Sequence, residues 1–262
     1  MEPLFVIKIG GNVIDNDHAL VAFLEGLSSL QSSWILVHGG GKLATDLSAR
    51  LGIATQMIDG RRITDKATLD VVTMVYGGLV NKRIVVGLQA LGINALGITG
   101  ADGNIIRAKK REHPTTDYGF VGDIVSVHAE RLQSLLQSSF LLVLAPLTHD
   151  GAGSILNTNA DTIAAEVAAA LARQYDVRLV YCFEKPGVLQ NVNDDNSVIP
   201  HVTYRSYEEL RTSDIIVKGM IPKMDNAFAA LRRGVSSVVI ASADSVRLLG
   251  SNTAFGTTIV LE

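Results

Sequence analysis

The sequence predicts an α/β protein with a mainly parallel central sheet. Short apolar segments rich in β-branched residues alternate with amphipathic segments of helical length, and most junctions carry glycine. The apolar segments are continuous, which is typical of parallel strands covered on both faces. Alternation of the two kinds of segment favours a doubly wound α/β sheet.

The elements follow in chain order from these patterns. Strands are predicted at 4–9, 34–37, 95–98, 140–145, 179–182, 237–240 and 257–261, with the last closing the sheet. Helices are predicted at 19–30, 43–51, 66–91 (with a second helical segment after Asn81), 129–137, 161–173 and 224–231. Segment 102–124 mixes charges, glycine and proline with short alternating stretches, so we expect one or two edge hairpins there.

Composition excludes several function classes. The 262 residues carry a net charge of -3, with 47% hydrophobic and 19% charged residues. No strong field exists to recruit nucleic acid or anionic membrane, which favours a small-molecule partner. The single cysteine, Cys182, excludes an intramolecular disulfide and is expected to be an inert core thiol. No signal peptide and no apolar run of membrane-spanning length are recognised, so a cytoplasmic protein is expected.

Two glycine-rich turns follow predicted strands, Lys8-Ile9-Gly10-Gly11 and His38-Gly39-Gly40-Gly41. Glycine lets backbone N–H groups approach a ligand, and a following helix N-terminus favours an anion. The alternative is a pair of tight turns that only permit close packing.

Other glycine motifs are incomplete. Segment 39–44 satisfies G-x-G-x-x-A, which leaves a dinucleotide site possible. A lipase-type oxyanion loop requires a G-x-S-x-G elbow, which the sequence lacks. A P-loop is excluded because Leu43 follows Lys42.

Charged and polar residues stand where structure alone does not require them. Lys8 interrupts an apolar strand, and Lys223 precedes a helix whose macrodipole it opposes. Asn157, Asn159 and Asp161 stand immediately before the apolar helical stretch 163–171, although an N-cap needs one such residue. Two lysines beside a transferred phosphoryl group, oriented by Asp161, would form a phosphotransfer site, and their convergence is a hypothesis.

Seven motifs occur in an order that resembles one family. They are Lys8-Ile9-Gly10-Gly11, His38-Gly39-Gly40-Gly41, Gly60-Arg61-Arg62-Ile63-Thr64-Asp65, Asn81-Lys82, Gly97-Ile98-Thr99-Gly100-Ala101-Asp102-Gly103, Gly119-Phe120-Val121-Gly122-Asp123 and Asn157-Thr158-Asn159-Ala160-Asp161. Together they resemble the acetylglutamate kinases of the amino acid kinase family over essentially the whole chain.

The resemblance implies a fold, a three-layer αβα sandwich with a mainly parallel central sheet, and it also implies the reaction and the partners. Residues 1–174 would form an N-terminal lobe for the acyl amino acid and the dimer contact, and residues 175–262 a C-terminal lobe for ATP. The enzyme would transfer a phosphoryl group from ATP to the γ-carboxylate of N-acetyl-L-glutamate, the second step of arginine biosynthesis. That carboxylate is ionised at pH 7, so no general base is needed. His38 is therefore expected to shape its turn rather than to act in catalysis. Mg²⁺ would arrive with ATP rather than at a metal site of the protein, and a cytoplasmic homodimer is expected.

The resemblance also assigns roles to residues. Arg62 would grip the α-carboxylate, in keeping with bidentate recognition by arginine. The implied roles are catalysis by Lys8, Asp161 and Lys223, phosphoryl stabilisation by Gly10, Gly11, Gly40 and Gly41, substrate binding by Arg62 and Asn157, and nucleotide binding by Glu184, Gly187, Lys218 and Gly219.

The sequence departs from the family pattern at a few positions. Phe183-Glu184-Lys185 precedes Pro186-Gly187-Val188, where the family usually has a Thr/Ser-Asp pair, so the adenine and ribose contacts are expected to differ. Thr158 and Lys42 also differ without removing a catalytic group. Arginine-inhibited members carry an extra N-terminal helix, whereas this chain starts almost at its first strand, so we expect it to be arginine-insensitive.

Three alternatives stay open at this point. An N-succinyl-L-glutamate kinase of the same fold would need more room or another cation near the acyl pocket. A non-catalytic nucleotide or amino-acid sensor is supported by the altered 183–185 segment, but retention of Lys8, Asp161 and Lys223 argues against it. A dehydrogenase, suggested by segment 39–44, leaves Lys8 and Lys223 unexplained.

Overall fold

The computed structural model describes residues 1–58, 60–213, 215–216, 220–251 and 253–262. They form two compact units, one made of Met1–Ile35 with Ala164–Glu262 and the other of Leu36–Ile163. The two predicted lobes are defined by the ligand that each binds, so their boundaries stay a prediction.

Strands and helices alternate along the chain, as predicted. The strands are β1 (Pro3–Ile9), β2 (Ser33–His38), β3 (Met57–Ile58), β4 (Arg61–Arg62), β5 (Ala95–Ile98), β6 (Ile106–Lys110), β7 (Gly122–Val127), β8 (Leu141–Leu144), β9 (Leu147–His149), β10 (Ile155–Asn157), β11 (Asp176–Phe183), β12 (His201–Val202), β13 (Ser237–Ser242) and β14 (Thr257–Ile259). The helices are α1 (Gly11–Asp15), α2 (Asp17–Ser28), α3 (Gly41–Arg50), α4 (Lys66–Val72), α5 (Asn81–Ala90), α6 (Ala129–Gln137), α7 (Ala160–Leu171), α8 (Tyr204–Thr212) and α9 (Ile221–Arg232).

In the first unit the strand order is β12-β14-β13-β11-β1. β1 pairs in parallel with β11, and β11 with β13. These strands are buried almost throughout, which explains their continuous apolar sequences. The prediction that the last strand closes the sheet is wrong. β14 runs antiparallel to β13 and has β12 beyond it, and that two-residue strand is too short to show an apolar pattern.

In the second unit β5 pairs in parallel with β8, and β2 is the next strand beyond β8. A separate four-stranded sheet has the order β10-β9-β6-β7. Its β6–β7 hairpin confirms that 102–124 contains hairpin residues, but the hairpin lies in this separate sheet rather than at the edge of the central one, and β7 continues to Val127. β9 and β10, of three residues each, were not predicted, although β10 carries Asn157.

The long helix predicted at 66–91 is found as α4 and α5, joined by a π-helical segment, Thr73–Val80. Asp65 caps its start, because its side chain accepts a hydrogen bond from the Thr68 N–H at 2.8 Å. Among the described residues this is the one helix long and apolar enough to span a membrane by length and composition alone, but 44% of its most apolar window is buried. Its apolar residues therefore lie partly in the core, whereas Met74, Leu79 and Val86 are more than half exposed.

Candidate active site

The second glycine turn requires glycine at position 40. Gly40 has φ +143°, a conformation that residues with a Cβ rarely adopt. A Cβ there would also lie 3.0 Å from Cδ1 of Tyr76. Helix α3 begins at Gly41 without a side-chain cap, so its first-turn N–H groups are free to meet an anion.

His38 holds the start of this turn, as predicted. Its buried ring donates through Nδ1 to the Gly39 carbonyl at 2.8 Å, and Nε2 accepts from the Asn81 amide at 3.2 Å. The same Asn81 amide donates to the Val143 carbonyl at 2.9 Å. Burial lowers the pKa of His38 to about 4, and nearby Lys82 lowers it further while the Gly39 bond opposes the shift. His38 is therefore a neutral structural group.

Arg62 is a buried cation fixed by three hydrogen bonds. Nη2 donates to the Gly41 carbonyl and to Thr45 Oγ1, both at 2.8 Å, and Nη1 donates to Thr55 Oγ1 at 3.1 Å. All three acceptors are neutral, so these bonds orient the guanidinium without neutralising it. A buried cation of this kind is poised to bind an anionic group.

The backbone after Arg62 is tied to two other sequence motifs. Thr64 N–H donates to the Tyr118 carbonyl at 3.1 Å, and Phe120 N–H donates to the Thr64 carbonyl at 2.7 Å. A Cβ at Gly119 would lie 2.3 Å from the Thr64 carbonyl oxygen, so this approach needs glycine. Asn157 completes the connection by donating from Nδ2 to Thr64 Oγ1 at 3.0 Å.

Each polar residue of the 157–161 motif has a distinct place. Asn159 is the N-cap, because Oδ1 accepts from the Thr162 N–H at 3.0 Å. The buried Thr158 hydroxyl bonds the Thr148 hydroxyl at 2.8 Å. Asn157 ends β10 and Asp161 is the second residue of α7. One residue therefore caps the helix, and capping does not explain Asn157, Thr158 and Asp161.

These features surround one cavity of about 190 Å³ within the second unit. Four predicted site residues line it together, namely Gly40, Gly41, Arg62 and Asn157. No Asp or Glu is among its described wall residues. The cavity joins a helix N-terminus to a buried arginine, so it can bind a ligand with two anionic groups.

Further residues of the wall were not predicted to be site residues. They are Gly39, Met57, Gly60, Arg61, Tyr76, Val121, Pro146, Thr158, Asn159 and Ala160. Most of them flank motif positions that the sequence did single out, so adjacency was the available signal. Tyr76 gives no such signal, because it lies in an apolar helix and reaches the site only through the fold. Burial raises its pKa, and Arg62 opposes the shift.

The remaining predicted site residues lie elsewhere in the chain. Lys8 is in β1, opposite Tyr181 of β11, and Lys223 is the third residue of α9. Gly10 N–H donates to the Cys182 carbonyl at 3.3 Å, and Gly11 starts α1. Their convergence with Asp161 stays a prediction.

Two of the four predicted nucleotide-binding residues lie among the described residues. Glu184 and Gly187 follow β11, and a Cβ at Gly187 would lie 2.7 Å from Thr257 Oγ1. Gly187 thus has a packing reason of its own. Lys218 and Gly219 lie outside the described residues.

The sequence and the structure define a class of protein. The chain belongs to the amino acid kinase family, whose sequence profile matches residues 3–242. This confirms both the predicted resemblance and the predicted fold.

Two curated relatives and one solved structure match nearly the whole chain. An acetylglutamate kinase of Cytophaga hutchinsonii is 54% identical over 262 residues, covering 99% of each chain. An acetylglutamate kinase of Phocaeicola vulgatus is 55% identical over 245 residues, covering 94% of this chain and 95% of the relative. The crystal structure of smu.665 from Streptococcus mutans UA159 superposes with a TM-score of 0.81 at 27% identity, covering 99% of both chains.

Proposed function

We propose that this chain is an ATP-dependent kinase that phosphorylates the γ-carboxylate of N-acetyl-L-glutamate. The proposal rests on the cavity that is lined by the buried Arg62, the half-buried Asn157 and the uncapped N-terminus of α3. Relatives above 50% identity that are named acetylglutamate kinase support the same substrate and a role in arginine biosynthesis.

The cavity suits the two carboxylates of the substrate. Arg62 binds the α-carboxylate through the donors that its three hydrogen bonds leave available. The γ-carboxylate lies at the α3 N-terminus, where Gly40 and Gly41 present N–H groups to the incoming phosphoryl group. Asn157, held by Thr64, positions the glutamate part.

Phosphoryl transfer then needs alignment and charge neutralisation. A γ-carboxylate oxygen bonds to the γ-phosphorus of ATP, the bond from that phosphorus to the β,γ-bridging oxygen breaks, and ADP leaves. In this proposal Lys8 and Lys223 neutralise the transferred group, Asp161 orients them, and Gly10 and Gly11 allow close approach.

The nucleotide enters as MgATP, so Mg²⁺ is carried by the substrate. Glu184 and Gly187, with Lys218 and Gly219, bind the nucleotide in this proposal. Among the described residues, no group of three or more His, Cys, Asp or Glu side chains could hold a metal ion.

Acyl phosphate formation, trapped as the hydroxamate with N-acetyl-L-glutamate and ATP, tests the function. Lys8→Ala and Asp161→Ala should each remove most of the signal, whereas Arg62→Ala should chiefly raise KM for the acyl substrate. Folded protein that binds ATP but forms no hydroxamate would favour a sensor instead.

We also propose that the protein is a cytoplasmic homodimer. Met74, Leu79 and Val86 are apolar side chains more than half exposed on the long helical region 66–90, and a second copy could cover them. Light scattering should give twice the mass of 28.0 kDa, and a monomer at micromolar concentration would contradict this.

A further inference from the structure

Two adjacent arginines in the cavity wall have contrasting surroundings. Arg62 is buried and donates three hydrogen bonds. Arg61, also a wall residue, is partly buried. Among the described residues, none accepts a hydrogen bond from the Arg61 guanidinium. The substrate proposed above uses Arg62, so Arg61 has no role in binding its two carboxylates.

The charges around Arg61 are unbalanced in the described part of the chain. Its ionised neighbours are Arg111 and Asp123, and Asp123 Oδ1 already accepts from Arg111 Nη2 at 2.7 Å and Nε at 3.1 Å. Two guanidinium groups therefore share one carboxylate. Burial lowers the pKa of Arg61, and repulsion by Arg111 lowers it further, while Asp123 and Tyr118 oppose the shift. Because arginine stays protonated in proteins, this site would be stabilised by an added anion.

The wall offers apolar as well as cationic surface. Met57, which pairs with Arg62 in the β3–β4 ladder, and Val121 both line the same cavity as Arg61. Such side chains suit the methylene groups of an acyl chain, and an arginine suits a terminal carboxylate.

We propose that Arg61 binds a third carboxylate, at the end of the N-acyl group, so that N-succinyl-L-glutamate is turned over with higher kcat/KM than N-acetyl-L-glutamate. This inference rests on the proposed function, since the phosphorylated γ-carboxylate is the same. It changes the substrate class from an uncharged to a carboxylated acyl group.

The test compares three acyl groups on the same enzyme. N-butanoyl-L-glutamate has the chain length of the succinyl compound without its carboxylate, so it separates charge from size. The wild type should show kcat/KM at least about tenfold higher for succinyl than for butanoyl, the size expected for a charge-assisted hydrogen bond. Equal values for the two would overturn the inference.

Substitution assigns the effect to one side chain. Arg61→Leu should lower kcat/KM for the succinyl substrate about tenfold or more and change the butanoyl value less than about threefold, while Arg61→Lys should restore part of the loss. Arg107→Leu, at an exposed arginine of the same unit outside this cavity, is the matched control and should change neither value. A succinyl preference that survives Arg61→Leu would overturn the role of Arg61.

Asp123→Asn changes the local charge in the opposite direction from Arg61→Leu. Removing the shared carboxylate should maintain or raise the succinyl-to-butanoyl ratio, because the local positive charge increases. A ratio that falls to one would contradict the proposal. If Arg61→Leu does not fold, the succinyl-to-butanoyl ratios of kcat/KM in the wild type and in Asp123→Asn still test the proposal.

Failure of the inference is distinguishable from failure of the proposed function. Activity with the acetyl substrate and no advantage for succinyl would overturn only the inference. Absence of hydroxamate with all three substrates would overturn the proposed function.

Discussion

The two glycine turns look alike in sequence but differ in what the surrounding protein requires of them. Gly40 has φ +143°, and an added Cβ would lie 3.0 Å from Tyr76. Gly10 has φ -83°, and the nearest atom to an added Cβ is the Cys182 carbonyl oxygen at 3.8 Å, an ordinary contact. Glycine is thus explained by the fold at position 40, whereas at position 10 the fold would accept alanine.

This difference separates structural from functional glycines. A glycine that the backbone conformation demands reports on folding. A glycine that the protein does not demand is better explained by a ligand that approaches the backbone closely. The comparison therefore predicts loss of stability at the second turn and loss of activity at the first.

The largest effect is expected for Gly40→Ala. A positive φ costs of order 1–3 kcal/mol, and the contact with Tyr76 adds overpacking of about 1–3 kcal/mol, so about 3 kcal/mol or more should be lost from the free energy of unfolding. Urea unfolding measures it. Gly78→Ala is the control, because nothing lies within 4 Å of its added Cβ and that variant should match or exceed the wild type. A stable Gly40→Ala would remove the distinction between the turns.

The second expectation concerns His38 and pH. Its folded pKa of about 4 lies below the ordinary 6.5, so the unfolded chain binds the additional proton. The stabilisation is fully present above about pH 6.5 and is lost as pH falls towards 4. It amounts to about 3 kcal/mol from the pKa difference.

Urea unfolding of wild type and His38→Gln at pH 7.5 and pH 4.5 measures this contribution. The wild type should lose more stability between the two pH values than the variant does. Identical losses in both proteins would show that His38 is not the titrating group.

The third prediction tests whether Gly10 of the first turn is needed for activity rather than for stability. Gly10→Ala should lower kcat about 100-fold, because a methyl group displaces the approaching phosphoryl group from its reactive alignment. Its free energy of unfolding should stay within about 1 kcal/mol of the wild type. Full activity in Gly10→Ala would return the first turn to a purely structural explanation.

The smallest effect is expected where the second turn meets Arg62, the arginine proposed to bind the substrate. Thr45→Val removes one acceptor of Arg62 Nη2, together with the hydrogen bond from Thr45 Oγ1 to the Gly41 carbonyl, and keeps the side-chain shape. Loss of this hydrogen bond to a charged group should cost about 1–3 kcal/mol, partly as stability and partly as a several-fold rise in KM for the acyl substrate. A rise in KM for ATP alone would contradict this assignment.

Much of the fold was predictable, because buried parallel strands require continuous apolar sequence. The edge strand β12 and the short β9 and β10 were not, since two or three residues carry no pattern. Gly40, Arg62 and Asn157 were predictable from motifs and do line one cavity. Arg61 had adjacency to Arg62 as its signal, whereas Tyr76 had none, because its place in the wall depends on how separate segments pack.

The single cysteine can report when the strand that carries it, β11, separates from its neighbours. Cys182 is 1% exposed in β11, and burial raises the pKa of its thiol to about 12 while Lys8 opposes the shift. A thiol reagent can label it only when β11 transiently separates from its neighbours. The Cys182 carbonyl also accepts the hydrogen bond of the Gly10 N–H. The rate at which a thiol reagent labels Cys182 therefore measures how often the first glycine turn opens in the unmodified chain.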